Sequence, residues 1–401
     1  MKKIIIYQLF IISSIFFFSC TTNKELVQEV QIPKITQPTP TPEKSLQIQP
    51  RSPLVLTFCG DLMCHNENAK TSSFSEIYKD IEPIILNDTL TFANLETPVN
   101  DELPFSGFPA FNVKNSYVDA AINAGIDVFS LANNHSNDGN LASILKTIEY
   151  FNSVQNKGIY FAGIHQKSDS KESSLSYQII KKNGWRIIFA SYTQILNRMT
   201  ALDYIDYYPN TKIANDALKK QLIHLNNTYE HDIFILSVHC NEPEYVIEVP
   251  QAQKEWYTEL QNCGVDIIWA NHPHILQEWE CFTDKQGNCD SMVMYSLGNL
   301  ISGQRRPWPN TEHPEDILEY TGDSVLMQLT IVDNYKKTDK TFTIQKIKPI
   351  YITTHITKWQ GDYLIKQLTP EFIDSMPEYL QKYYTKRLEL IKQIKGKIIY
   401  K

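Results

Sequence analysis

The chain has 401 residues, 42% hydrophobic and 11% aromatic, enough for one large α/β domain with accessories or for two ordinary domains. A formal net charge of −7, with no long basic run, argues against a nucleic-acid partner. Beyond the N-terminus no apolar run reaches the ~20 residues a membrane-crossing helix needs, so the body is not expected to span a bilayer.

Lys2 and Lys3 precede an apolar run from Ile4 to Phe18, broken only by Gln8, Ser13 and Ser14 and followed by Ser19, Cys20, Thr21 and Thr22. A short charged region before an apolar stretch reads as a secretory signal over residues 1–20. A cysteine directly after a small residue at its end looks like a bacterial lipobox. That reading puts a lipid on Cys20 and makes the body an exported lipoprotein of the cell membrane or outer membrane. The alternative is a plain signal anchor with a chance cysteine. Residues 21–53 carry prolines at 33, 38, 40, 42, 50 and 53 among Thr, Gln and Lys. Such a composition cannot bury a core, and it reads as an extended tether.

From Leu54 onward, short apolar runs stop abruptly at polar residues. Leu54 to Cys59 is a buried strand leading into Gly60, Asp61, Leu62, Met63, Cys64 and His65. An acid at such a strand end projects into the crevice of an α/β sheet, although a helix N-cap is the plainer role for it. A helical stretch over residues 74–86 follows, then a strand over 89–96 ending in Asn94, Leu95 and Glu96. Tyr117 to Ala124 reads as a helix closed by Gly125, and Ile126 to Ala132 as a strand ending in Asn133, Asn134, His135, Ser136, Asn137, Asp138 and Gly139. A helix over 141–152, strands over 158–163 and 185–192, and a helix over 216–226 come next.

Asp232 to His239 is another apolar strand with its polar residue last, and a helix over 251–263 leads into Val265 to Gln277, VDIIWANHPHILQ. Here a buried strand stops at Asn271, His272, Pro273 and His274. In extended backbone residues i and i+2 share a side, so both imidazoles are expected to aim at one point as paired ligands would. Two solvated histidines on a surface turn are the alternative. Cys281 and Cys289 flank a turn-like stretch and are expected to form a cross-strand disulfide; the other cysteines read as buried thiols. Residues 291–300 form a strand and turn, 324–331 and 341–352 a hairpin, and 370–398 a helix outside the core. The body therefore spans 54–355, with a helical C-terminal extension over 356–401.

Five of the ten histidines, at 65, 135, 239, 272 and 274, thus fall at strand ends with Asp61, Glu96 and Asn134. Carboxylate, amide oxygen and imidazole are ligands for hard or borderline divalent metals, and two metals sharing one carboxylate form a hydrolytic centre. Gly60-Asp61-Leu62-Met63, Asn94-Leu95-Glu96, Ala132-Asn133-Asn134-His135 with Asp138-Gly139, His272-Pro273-His274 and Tyr295-Ser296-Leu297-Gly298-Asn299 resemble, in order and spacing, the CapA family. These are poly-γ-glutamate capsule synthesis proteins within the calcineurin-like metallophosphoesterase superfamily.

The resemblance implies a four-layer α/β/β/α sandwich and two divalent ions, Mn, Fe or Zn. Asp61 and His274 would bind one and Asn134, His239 and His272 the other, with Glu96 bridging. His135 would be the catalytic histidine, oriented by Asp138. His65 is either a ligand or a rim residue. Asn94, Asn299, Arg305 and Arg306 are expected on the substrate side, a solvated loop being the alternative for the two arginines. One departure is His239-Cys240-Asn241-Glu242-Pro243-Glu244-Tyr245, where the family usually reads His-Trp-Gly and then Glu-Tyr. The expected function is a metal-dependent hydrolase acting on a phosphoester or an anionic envelope polymer, alongside other capsule-synthesis proteins. Two rivals stay open: an assembly protein that binds the polymer without turnover, and a lipoprotein whose metal site is structural.

Overall fold

The computed structural model describes residues 51–167, 175–305, 309–334, 341–357 and 361–400. Cys20, most of the tether and Arg306 lie outside the described residues. Strand and helix alternate first through β1 (Leu54–Leu62), α1 (Phe74–Tyr78), α2 (Glu82–Ile85), β2 (Leu90–Leu95), α3 (Asn115–Ala124), β3 (Val128–Ser130), α4 (Asn140–Val154) and β4 (Tyr160–Ala162). A second series runs β5 (Tyr177–Lys182), β6 (Trp185–Thr193), α5 (Lys212–Thr228), β7 (Ile233–His239), α6 (Gln251–Asn262) and β8 (Ile267–Asn271). The chain then supplies β9 (Trp279–Thr283), β10 (Cys289–Met294), β11 (Asn299–Ile301), β12 (Asp323–Asp333), β13 (Phe342–Ile356), β14 (Tyr363–Gln367), α7 (Pro370–Asp374), α8 (Glu378–Ile391) and β15 (Gly396–Tyr400).

Helical crossovers force parallel pairing, and β1, β2, β3 and β4 are accordingly parallel neighbours, as are β6, β7 and β8. The first sheet has the order β14-β13-β12-β1-β2-β3-β4 with β11 beside β1, the second β15-β9-β10-β8-β7-β6-β5. Both are mixed, because hairpin strands add antiparallel edges.

Successive side chains of a strand point to opposite faces, so a strand buried on both faces reads as an unbroken apolar run. Leu54, Leu56 and Phe58 of β1 meet Ile267 and Trp269 of β8 and Ile233 and Ile235 of β7 in one core between the sheets. Phe58 and Phe92 stack at 4.6 Å, and Trp269 Nε1 donates across the gap to the Cys59 carbonyl at 2.9 Å. The alternate residues enter two outer cores. Ala93, Leu95 and Phe129 pack on Tyr117 and Val118 of α3 and Ile144, Ile148 and Phe151 of α4. Phe234, Leu236 and Ile268 pack on Leu218, Leu222 and Leu225 of α5 and Tyr257 and Leu260 of α6. Three apolar layers between helices, sheet, sheet and helices make a four-layer α/β/β/α sandwich.

Besides β14, a strand paired with β13 inside the 356–401 extension expected to be helical, two segments differ from the sequence expectation. β5, absent from it, is joined to β6 by Asn183 and Gly184 at φ 52° and 83°, a two-residue hairpin turn of the Asn-Gly kind. The C-terminal helix expected over 370–398 is two helices that meet at Pro377, and its last residues pair with β9 as the parallel strand β15. Nor does it lie outside the core. Tyr383, Tyr384 and Ile391 of α8 are buried against the inter-sheet core, because the aromatic stripe of the helix outweighs its lysine-rich face.

Candidate metal centre

Parallel strands end together, so the polar residues that close β1, β2, β3, β7 and β8 converge on one edge of the two facing sheets. β1 can reach that edge only because residue 60 lacks a side chain. A Cβ on Gly60 would lie 1.8 Å from the Gly298 carbonyl oxygen, which instead accepts a hydrogen bond from the Asp61 amide at 3.0 Å. Gly298 itself sits at φ 78°, which favours glycine. The two glycine motifs are therefore the two sides of one backbone contact.

Asp61, Glu96, His239, His272 and His274 are all buried at this edge. Two groups there bring ligand atoms within 4.8 Å of one another and could hold a metal ion: Glu96 with His272 and His274, and Asp61 with Glu96 and His239. Glu96 belongs to both. The grouping differs from that implied by the family resemblance, which joined Asp61 to His274 and His239 to His272. The His239 and His272 rings nevertheless lie 4.9 Å apart. Asn134 joins through its side-chain oxygen, 2.8 Å from His239 Nε2.

The reason expected for the paired histidines does not hold. His272 and His274 lie at φ 107° and 58°, so the chain is not extended through them. Two left-handed residues around Pro273, not a strand's alternation, turn both rings inward. Such backbone is costly for non-glycine residues and tends to mark functional sites.

Each imidazole is oriented by what its other nitrogen meets. His274 Nδ1 lies 3.1 Å from both Asp61 Oδ2 and Asn299 Oδ1, which leaves Nε2 toward Glu96 Oε1 at 3.8 Å. His239 Nε2 stands 3.8 Å from the same oxygen. Asn94 donates to Asp61 Oδ1 at 2.7 Å. Burial pushes His239 and His272 down, His272 to about 4, and the neighbouring histidines deepen both shifts. Both shifts favour the neutral imidazole, and His272 Nδ1 has no hydrogen-bond partner. Burial raises the Glu96 carboxyl, helped by Asp61 and Glu244.

Unsatisfied buried atoms test whether metal fits. Glu96 Oε1 and Oε2, His272 Nδ1 and Asn94 Oδ1 all lack a hydrogen-bond partner. Four such atoms converge beside the Asp61 and Glu96 carboxylates, and among the described residues no guanidinium or ammonium pairs with either acid, so the cluster is short of positive charge. The donors are nitrogen and oxygen only, which suits Mn, Fe or Zn.

Beside this cluster, Asp138 Oδ2 accepts from His135 Nδ1 at 2.6 Å and from the Phe111 amide at 2.7 Å. The His135 ring packs edge-on against Phe111 at 4.6 Å, and Asn197 Nδ2 lies 3.3 Å from its Nδ1. Neither Phe111 nor Asn197 carried a signal in the sequence; both come from loops that only the fold brings to the site. His65 stands on the other side of Phe111 at 4.9 Å, and its Nδ1 accepts from the Gly303 amide at 3.2 Å. That contact assigns the proton of the neutral ring to Nε2, and His65 is in neither ligand group.

The expected substrate-side residues are placed differently. Asn94 is fully buried among the cluster. The Asn299 amide is spent on His274, Ser302, Gln304 and the Thr321 carbonyl. Arg305 is 1% exposed and bound to Asp323, Thr353 and the carbonyls of Thr354 and Glu319. Asn299 and Arg305 therefore hold the fold and present nothing to a substrate. Away from the site, Cys281 and Cys289 are joined by a disulfide at a Cα separation of 6.0 Å, and Cys59, Cys64, Cys240 and Cys263 are buried free thiols.

A sandwich of two mixed sheets with acids and histidines gathered on one strand edge defines the class. Residues 55–304 match the model of the family described as Bacterial capsule synthesis protein PGA_cap, and the chain belongs to that family. It is 26% identical over 292 residues to the capsule biosynthesis protein CapA of Bacillus anthracis, covering 70% of this chain but 64% of that protein, less than two thirds of its length. The PGA biosynthesis protein CapA of Bacillus subtilis is 25% identical over 288 residues, covering 70% of this chain and 68% of that protein. Among solved structures, a hypothetical protein from Thermus thermophilus is similar at a TM-score of 0.41 and 12% identity, covering 74% of this chain and 98% of its own.

Proposed function

We propose that this chain is a hydrolase of the cell envelope that uses two divalent metal ions to cleave a phosphoester, or a related ester or amide, of a capsule polymer or its precursor. The observation that carries the reading is Glu96, a buried carboxylate shared by both ligand groups with neither oxygen hydrogen-bonded. A metal pair bound there would lower the pKa of a water and neutralise charge on a displaced oxygen.

The chain's own residues supply the rest. Asp61 and Asn299 fix the His274 ring with Nε2 inward. Asp138 fixes His135 through Nδ1, so Nε2 is the atom at which a proton is taken up or delivered to a leaving group. A site that only braced the fold would have no use for that second pair. The capsule role rests on the family and on the names of its two relatives. Export, a lipid on Cys20 that holds the body at a membrane, and work beside other capsule-synthesis proteins complete the proposal, and the signal pattern of residues 1–20 supports the first two.

The test is elemental analysis of the full chain beside Glu96→Ala and His272→Ala, then a phosphoester screen with His135→Ala. Close to two transition metals per chain, lost in both variants, with turnover reduced about 100-fold or more in His135→Ala, is the expected result. No metal after reconstitution with Mn, Fe or Zn sinks the reading. Metal without turnover favours a protein that binds an anionic polymer and leaves it intact.

A further inference from the structure

The segment from His239 to Pro250 borders two concavities. Tyr245 leans on His274 with ring centroids 6.3 Å apart, on the metal side. Asn241, Glu242 and Pro243, with Pro250, wall a separate cavity of about 420 Å³ against α5 and the start of α6. Glu242 is 7% exposed, and neither of its carboxylate oxygens has a hydrogen-bond partner. Two more groups that line the same cavity are also unpaired, Asn215 Oδ1 and Gln253 Nε2. Trp256 forms part of the wall, its indole nitrogen already spent on the Tyr192 hydroxyl at 3.1 Å.

The charge of this cavity is one-sided. Its other acids are engaged, Glu259 with Lys219 at 2.9 Å and Glu255 with the Gln251 amide at 3.2 Å. Among the described residues the ammonium bound to a lining acid is that of Lys219, which serves Glu259 and, outside the cavity lining, Asp216. Burial pushes the Glu242 carboxyl up to about 7; the nearby Gln277 side chain tempers the rise, although its amide nitrogen donates to the Val246 carbonyl at 2.7 Å. A buried acid without a cation is costly, and native structures rarely leave one unless something else completes it.

We propose that this cavity is a binding site for a primary ammonium group adjacent to a carbonyl, the α-amino end of a peptide-like chain. An ammonium offers three N–H donors and no acceptor. The unpaired acceptors here are the two Glu242 oxygens and Asn215 Oδ1, and the unpaired Gln253 amide N–H suits the neighbouring carbonyl. Trp256 adds an apolar wall for the ligand's backbone, while the Lys219 ammonium already lies 6.0 Å over its ring. The inference does not rest on the metal centre. The two are nonetheless close: Glu242 is three residues past His239, at most about 11 Å of chain.

Glycinamide titrated into the full chain at pH 7, followed by the Trp256 indole N–H resonance assigned with Trp256→Phe, tests it. A saturable shift with half-saturation in the millimolar range is expected. Glu242→Gln should weaken it at least tenfold, Asn215→Ala about threefold, and N-acetylglycinamide, which lacks the ammonium, should give none. Glu242→Gln should melt no lower than the parent, since it removes an unpaired buried charge. No saturable shift, an equal response to the acetylated probe, or full affinity in Glu242→Gln overturns the proposal. A saturable response to Mg²⁺ or Ca²⁺ in place of glycinamide overturns it in favour of a cation site. Loss of folding in Glu242→Gln would show the carboxylate serving the fold, and would equally overturn it.

Discussion

Two buried clusters of charge lie within this molecule and behave as opposites. In one, Asp323 accepts from Arg305 at 2.9 Å, from Thr353 at 2.7 Å and from Arg387 at 2.6 Å. Arg387 also donates to the Pro314 carbonyl and lies over the Tyr320 ring at 4.0 Å, while Glu319 accepts from the Tyr383 hydroxyl. Two cations meet two acids, and only Arg305 Nε and Arg387 Nη2 lack a hydrogen bond. Burial alone would raise the Asp323 carboxyl, but the two guanidinium groups hold it below its usual value. In the candidate metal centre, Asp61 and Glu96 face imidazoles, no Lys or Arg among the described residues pairs with either carboxylate, and burial drives the Glu96 carboxyl up. Burial is common to both clusters. What separates them is whether the chain itself completes the charge.

Breaking each cluster should therefore move stability in opposite directions. Arg387→Ala leaves half of a buried acid unpaired and should cost about 3–5 kcal/mol in denaturant unfolding. A loss below about 1 kcal/mol would remove the network from the stabilising side of the comparison. Glu96→Gln takes an unpaired charge out of the open cluster, and the metal-free variant should unfold no earlier than the metal-free parent. The parent should in turn lose about 3 kcal/mol when a chelator strips metal present at roughly 100 times its dissociation constant. In Glu96→Gln the chelator should change little. An equal chelator effect in both proteins would mean that the carboxylate does not hold the ion.

The same contrast explains which parts were legible in the sequence. Strands buried on both faces appear as short apolar runs, and runs such as residues 233–238 end at once in a histidine, so the placement of Asp61, Glu96, Asn134 and His239 at strand ends was legible from the pattern, whereas the four-layer sandwich and their roles as ligands came from the family resemblance. The role of Arg305 could not. Its partners come from Asp323, Thr353 and the turn around Glu319, and the second arginine, Arg387, stands 64 residues beyond Asp323. An arginine after a glycine-rich turn looks identical whether it meets substrate or a distant acid. The β5 strand was legible and overlooked, since Asn183-Gly184 is a hairpin signal in any sequence. The left-handed backbone at His272 and His274 was not, because sequence periodicity carries no sign of φ.

The smallest effect concerns protons. His272 is held near pKa 4, mainly by burial and then by His274, whereas an unfolded histidine titrates near 6.5. The unfolded chain thus binds the proton first as pH falls, so stability of the metal-free protein drops on going down through 6.5 and levels off only near 4. At pH 5.5 this one residue should cost on the order of 1 kcal/mol relative to pH 7.5, by linkage. Asp323, whose carboxyl is depressed, contributes stability above its unfolded value of 3.8 and loses it only as pH falls below that. Between pH 7.5 and 5.5 the contribution of His272 should therefore fall while that of Asp323 does not change, and the raised Glu96 carboxyl acts in the opposite sense because the folded protein takes up its proton first. Denaturant midpoints of the metal-free parent and of His272→Gln across that range are the measurement. The variant should lose part of the slope; an unchanged slope would place the acid sensitivity outside the histidine cluster.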